Sequence, residues 1–170
     1  MPLPSLYFKR VYVLYLEMDK KGFTLIELLV AAAIMGILAA IAIPMYRGYE
    51  KSAARQEAAS NLQGLSLCLE EYFSESNQYL PAGTNPPQTY DWTETSGGVV
   101  TNGLNWLTCF TPQKAAGGTL NNYNYELVVP STNVYIASAF PVRGPVSGDA
   151  TFTLDNTGFK NGTPFNPWPQ

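Results

Sequence analysis

From Phe23 to Ile43 the chain reads FTLIELLVAAAIMGILAAIAI, 21 residues in which Glu27 is the sole charge. As an α-helix rising about 1.5 Å per residue, this run spans a hydrocarbon core of roughly 30 Å and predicts one membrane-crossing helix. Beyond Pro44 the apolar positions narrow to one face. Ala54, Ala58, Leu62, Leu65, Leu69 and Tyr72 recur at spacings of 4, 4, 3, 4 and 3, with Arg47, Lys51, Arg55, Glu57, Glu70 and Glu71 at charged positions around them. The two patterns join into one helix from Phe23 to about Ser76, apolar all round over 23–44 and amphipathic over 45–76. Pro44 lacks a backbone donor and Gly36 is a poor helix former, so these two residues mark turns where the helix is weakened. Residues 77–122, with PAGTNPP and TSGG, predict a long αβ-loop holding a short ordered piece near 104–110. Tyr123–Val129 and Val134–Phe140 then form a predicted antiparallel hairpin across Pro130–Asn133, and Ala150–Leu154 forms another strand that enters the turn Asp155–Gly158. Segment 123–170 is therefore read as an antiparallel sheet of three or four strands with a C-terminal tail. Packed on the one-sided half of the helix, it makes an α+β layer.

Composition narrows the chemistry. A chain of 170 residues with 46% hydrophobic and 14% charged residues is too apolar for a disordered polymer and long enough for one globular unit with an appendage. The formal charge of −3 supplies no basic excess, so DNA binding is not indicated. There is no histidine, which removes the commonest general base and metal ligand. No catalytic residue, metal-ligand set or cofactor site is predicted. Cys68 and Cys109 are too far apart for a CxxC motif. Outside the cytoplasm they are expected to pair, which the chain-entropy treatment values at roughly 4 kcal/mol for such a loop. Two unrelated buried thiols are the alternative.

The flanks of the apolar run give its direction. Lys20 and Lys21 directly before it, with Lys9 and Arg10 upstream, place the N-terminal side in the cytoplasm and send the remainder outward. Arg47, Lys51 and Arg55 on the far side oppose that assignment, although Glu50 and Glu57 are interspersed with them. An ordinary secretory signal cleaved near Ala40-Ile41-Ala42 competes, but the run exceeds the usual apolar region of such signals and carries a carboxylate inside it. A plain single-pass anchor explains the length and leaves Glu27 unexplained.

Lys20-Lys21-Gly22-Phe23-Thr24-Leu25-Ile26-Glu27-Leu28 resembles the class III signal of type IV prepilins: a basic leader ending in glycine, then phenylalanine, with glutamate four residues after it. The resemblance extends over roughly Lys20 to Phe73, and Gly36 and Pro44 sit where similar pilins carry a helix-weakening glycine and proline. It implies the pilin fold, cleavage of a leader, residues 1–22, between Gly22 and Phe23 by prepilin peptidase, and N-methylation of Phe23. It also implies residence in the inner membrane with the C-terminus periplasmic. Polymerisation with other pilin subunits by an inner-membrane platform and assembly ATPase would then give an extracellular filament serving motility, adhesion or DNA uptake. In such a filament Glu27 is expected to pair with the Phe23 amine of a neighbouring subunit, which offsets the burial of its charge only when subunits meet in register. Met18 to Gly22 alone makes a complete short leader, so translation is expected to begin at Met18, with an extended leader as the alternative. Loss of residues 1–22 removes Lys9, Arg10, Lys20, Lys21, Glu17 and Asp19 and moves the formal charge from −3 to −5.

Segment 124–162 is more loosely similar to the sheet region of pilins described as minor subunits. Many pilins close a C-terminal loop with two cysteines, whereas the last cysteine here is Cys109, so the tail through Phe165 and Trp168 must be held by packing or turns. A pseudopilin of a type II secretion system shares the N-terminal logic, and a membrane-anchored binding domain is a more distant alternative. Asp149, Asp155 and Asn156 supply too few ligands for a calcium cage, and Asp155-Asn156-Thr157-Gly158 reads as a turn. Lys114, Arg143 and Lys160 are three isolated cations. Trp92, Trp106 and Trp168 are read as core or interface.

Overall fold

The computed structural model describes residues 22–114, 118–163 and 168. Its chain divides into two compact units, residues 1–40 and 41–170. Helix α1 runs from Leu25 to Ser76 as a single uninterrupted element that includes both Gly36 and Pro44. It is the one helix among the described residues long and apolar enough to cross a membrane. In the first unit every described side chain is exposed, Phe23 at 90%. An apolar surface of that kind is stable only against lipid or other apolar helices.

In the second unit the helix buries one stripe: Ala54, Ala58, Ala59, Leu62, Leu65, Cys68 and Leu69. This is the face that the 4, 4, 3, 4, 3 spacing marks, and Tyr72 packs at its edge. Against it lies a six-stranded sheet: β1 (Gln88–Glu94), β2 (Val100–Asn102), β3 (Tyr123–Ser131), β4 (Val134–Pro141), β5 (Thr151–Asp155) and β6 (Lys160–Thr163). The spatial order is β2-β1-β3-β4-β5-β6, with every pairing antiparallel. Strand β3 alternates strictly, burying Tyr123, Tyr125, Leu127 and Val129. Tyr135, Ala137 and Ala139 of β4 and Phe152 and Leu154 of β5 complete the inner face. The register shifts between Val128 and Ser131, where Pro130 has no amide to give to the ladder.

The α+β plan agrees with the sequence reading, but the sheet has six strands where three or four were expected. Two of the additional strands, β1 and β2, lie inside the stretch read as the 77–122 loop. The physical reason is visible in β1: its inward positions are Tyr90, Trp92 and Glu94, so the alternation is broken by a charge that faces the core. β2 is a three-residue edge strand with no buried position, and β6 at the other edge is a four-residue, polar strand. Edge strands of that kind leave little hydrophobic signal. Leu104, Leu107 and Phe110, in the expected ordered piece, are buried in the core as turns rather than as a helix or strand.

Candidate functional site

The candidate site is the start of α1. Gly22, Phe23 and Thr24 precede the first helical turn, and Leu25 opens it. The Oε2 of Glu27 accepts hydrogen bonds from the Thr24 amide at 2.8 Å and the Thr24 hydroxyl at 2.7 Å, and the Glu27 amide donates to Thr24 Oγ1 at 3.3 Å. This is a capping box: threonine at the helix N-cap and glutamate three residues on, each satisfying an amide of the other. Glu27 thus has local partners within an apolar surface, and its carboxylate lies beside a groove lined by Ile26, Val30, Ala31 and Ile34. The leader residues Met18, Lys20 and Lys21, with all of 1–17, lie outside the described residues, as does Phe165. Gly36 has open space around it: a Cβ there would meet nothing within 4 Å.

The remaining predicted site residues lie in the second unit. Cys68 and Cys109 form a disulfide with their Cα atoms 5.9 Å apart. Cys68 is buried and Cys109 is exposed. The bridge holds the 104–114 segment on α1 together with a contact that the sequence does not advertise. Buried Asn61 donates to the Gln113 carbonyl at 2.9 Å and accepts from the Gln113 amide at 2.8 Å, and its Nδ2 also reaches the Tyr125 hydroxyl at 2.6 Å. One asparagine therefore reproduces a backbone-like pairing for a strandless segment and fastens it to β3.

The scattered charges resolve into two buried carboxylates. Asp149 receives Arg55 in a bidentate pair, Nε at 2.7 Å and an Nη at 2.8 Å, with Lys51 Nζ at 3.1 Å. Burial pushes this carboxyl upward, but hydrogen bonds from Arg55, the Ala150 amide and Lys51 outweigh it and hold the group far below the usual carboxylate range. Glu94, on the inner face of β1, accepts from the Asn121 amide at 2.7 Å, from Asn121 Nδ2 at 3.0 Å and from Lys114 Nζ at 3.1 Å. Arg143 Nη1 lies 3.6 Å from the same carboxylate, and Arg143 also donates to the backbone carbonyls of Asn121 and Glu94. Desolvation raises the Glu94 pKa, yet Asn121 and Lys114 bring the net shift below the ordinary value.

These pairings account for residues singled out as isolated. Lys114 and Arg143 converge on Glu94, and Lys160 sits 5.5 Å over the Trp168 ring. Asp155 is occupied in its own turn, accepting from the Thr157 amide and hydroxyl and from the Phe159 amide. Among the described residues no three acidic, cysteine or histidine side chains are placed to hold a metal. Trp92 and Trp168 are core, and Trp106 packs edge-on against Tyr72 and Tyr90.

Comparison with known proteins bears on the N-terminal segment. A family model described as the prokaryotic N-terminal methylation motif matches residues 18–43. The chain is 46% identical over 59 residues to the type IV major pilin protein PilA of Myxococcus xanthus (strain DK1622), which covers 35% of this chain and 27% of that protein. It is 40% identical over 72 residues to a fimbrial protein of Pseudomonas aeruginosa, covering 42% of this chain and 47% of the relative. It is also 37% identical over 60 residues to the type II secretion system core protein G of Pectobacterium carotovorum subsp. carotovorum, covering 35% and 38%. The aligned regions thus span from about a quarter to about half the length of these relatives. The chain carries the prokaryotic N-terminal methylation motif and, over its N-terminal segment, resembles type IV pilins; its long helix and antiparallel sheet make a pilin-like α+β fold.

Proposed function

We infer that this chain is a structural subunit of a type IV pilus, made as a prepilin, cleaved after Gly22, N-methylated at Phe23 and polymerised into a filament. The observation that carries the reading is the pairing of the methylation motif with a wholly exposed apolar helix start that contains one carboxylate, Glu27. Before assembly the apolar part of α1 sits in the inner membrane, with the second unit on the periplasmic side, and the Thr24 amide and hydroxyl satisfy part of Glu27. Cleavage creates a positive amine at Phe23. In the filament that amine from a neighbouring subunit pairs with Glu27, so the buried charge acts as a registry device. The partners of this cycle are prepilin peptidase, the membrane platform with its assembly ATPase, and other copies of the chain or related pilins. The chain is a substrate of the peptidase and performs no chemistry itself.

A second reading, a pseudopilin of a type II secretion system, is favoured by the match to secretion core protein G. The two are separated by immunogold labelling of the native host. Long surface filaments carrying this chain support the pilus subunit, whereas a secretion defect on its deletion without surface filaments supports the pseudopilin.

A further inference from the structure

The three cations Arg47, Lys51 and Arg55 stand on the side of the apolar run where the charge rule does not expect them. The fold separates them. Arg55 and Lys51 both pair with Asp149, at 2.7 and 3.1 Å, so each has a carboxylate partner within the second unit. Arg47 is exposed and has no ion pair among the described residues, Glu50 three residues on being beyond ion-pair distance. Its surroundings are specific. Ala42, Ile43, Tyr46, Arg47 and Glu50 line one open groove of about 420 Å³ along the helix, apolar at its start and charged at its end. Tyr46 and Tyr49 are 65% and 70% exposed in the same turns, with Met45 beside them.

The helical rise sets the depth of these groups. Arg47 lies four residues beyond Ile43, which is about 6 Å along the axis. The headgroup layer on each side of the hydrocarbon core is roughly 5–8 Å thick. A helix whose apolar run fills the core therefore places Arg47 at the level of the lipid phosphates. It also places the tyrosine rings in the interface, where amphipathic aromatics are enriched.

On the membrane-anchored reading above, we propose that Arg47, with the groove formed by Ala42, Ile43 and Tyr46, is a binding site for the phosphate headgroup and upper acyl chain of an anionic phospholipid in the periplasmic leaflet. The site fixes the depth of the subunit before it leaves the membrane. The groove continues the lipid-facing surface, and Arg47 is the cation at its mouth that has no ion pair among the described residues. Lys51 faces Asp149, so it does not substitute for Arg47.

The test uses the full chain reconstituted in vesicles of phosphatidylcholine containing phosphatidylglycerol. Spin-labelled phosphatidylglycerol and phosphatidylcholine report which lipid the protein retains. Wild type should prefer the anionic label, and Arg47→Gln should lower that preference about five-fold, the ratio that corresponds to about 1 kcal/mol for one basic residue at an anionic surface. Arg47→Lys should keep most of it. Wild-type protein that co-floats with vesicles but shows no lipid preference, or an Arg47→Gln protein that retains the full preference, overturns the site and leaves the anchor intact. Wild-type protein that fails to co-float overturns the anchor as well. An unchanged lipid preference with loss of filaments in Arg47→Gln would assign the arginine to a second copy of the chain instead.

Discussion

At the scale of single residues, Glu27 and Asp149 are both carboxylates with strong partners, and they answer to different tests. Among the described residues Glu27 has Thr24 as its partner, two donors from one residue at the mouth of an apolar helix. Its replacement by Ala or Leu should leave insertion unchanged, since an apolar side chain is favoured in the hydrocarbon core. Filament yield should fall steeply, because the neighbour's amine is left buried and unpaired. Membrane fractionation and shear-released pilin measure the two effects separately, and normal pilin release from Glu27→Ala defeats the registry role.

Asp149 serves the fold. Its pKa lies below the unfolded value, so the stability it contributes is fully present above about pH 4 and is lost progressively as pH falls through and below that point. Asp149→Asn should cost about 1.5–3 kcal/mol at pH 7, the range for hydrogen bonds to charged groups. The difference in denaturation midpoint between wild type and variant, measured in detergent micelles, should narrow as pH drops below 4. A gap that stays constant to pH 2 contradicts the assignment. Of the residue-scale features, the methylation motif was legible because it falls in one short stretch, within the residues 18–43 that the family model matches. Thr-Leu-Ile-Glu fits a capping box, so the sequence carries a signal for the Thr24 pairing as well. Glu94 was not legible: Lys114, Asn121 and Arg143 reach it from 20 to 49 positions away in sequence.

Among the elements, α1 was the easiest to read because it joins a long apolar run to a long one-sided periodic pattern. The hairpin β3–β4 was legible for the same reason at period two. β1 was hidden by its inward glutamate, and β2 and β6 by their length. The 104–114 segment illustrates a third case, an irregular piece whose place is fixed by contacts distant in sequence. Its two fastenings are separable. Asn61→Ala leaves the Gln113 amide and carbonyl without their side-chain partner and should cost about 1–3 kcal/mol. Removing the disulfide as Cys68→Ser with Cys109→Ser costs about 4 kcal/mol in the chain-entropy treatment. Hydrogen exchange should show the Gln113 amide losing protection in Asn61→Ala while the sheet ladder of β3 and β4 keeps its own. Equal loss of protection across β3 and β4 would mean that the segment is not an independent strap but part of the sheet's cooperative unit.

At the scale of the whole molecule, a carboxylate-bearing apolar helix start and a sheet-covered amphipathic half are two devices in one chain, the first suited to lipid and then to other copies of itself, the second self-sufficient in its core. The inner stripe of α1 is complete without any partner, since Ala54, Ala58, Leu62, Leu65 and Leu69 are buried by the chain's own sheet. The apolar surface of residues 22–40 has no such cover. That division is why the overall plan could be read from hydrophobic pattern alone, while the proposed filament could not: the pattern states which surfaces need partners and leaves the partners unnamed.

Processing at one bond underlies the proposed assembly, so the most direct measurement is intact-mass and N-terminal analysis of the protein from its native host. That assembly requires a chain that begins at Phe23 and carries one methyl group on its α-amine. A chain that begins at Ile43, or one that still carries Met18, would contradict it, for the amine that Glu27 is expected to meet would then not exist.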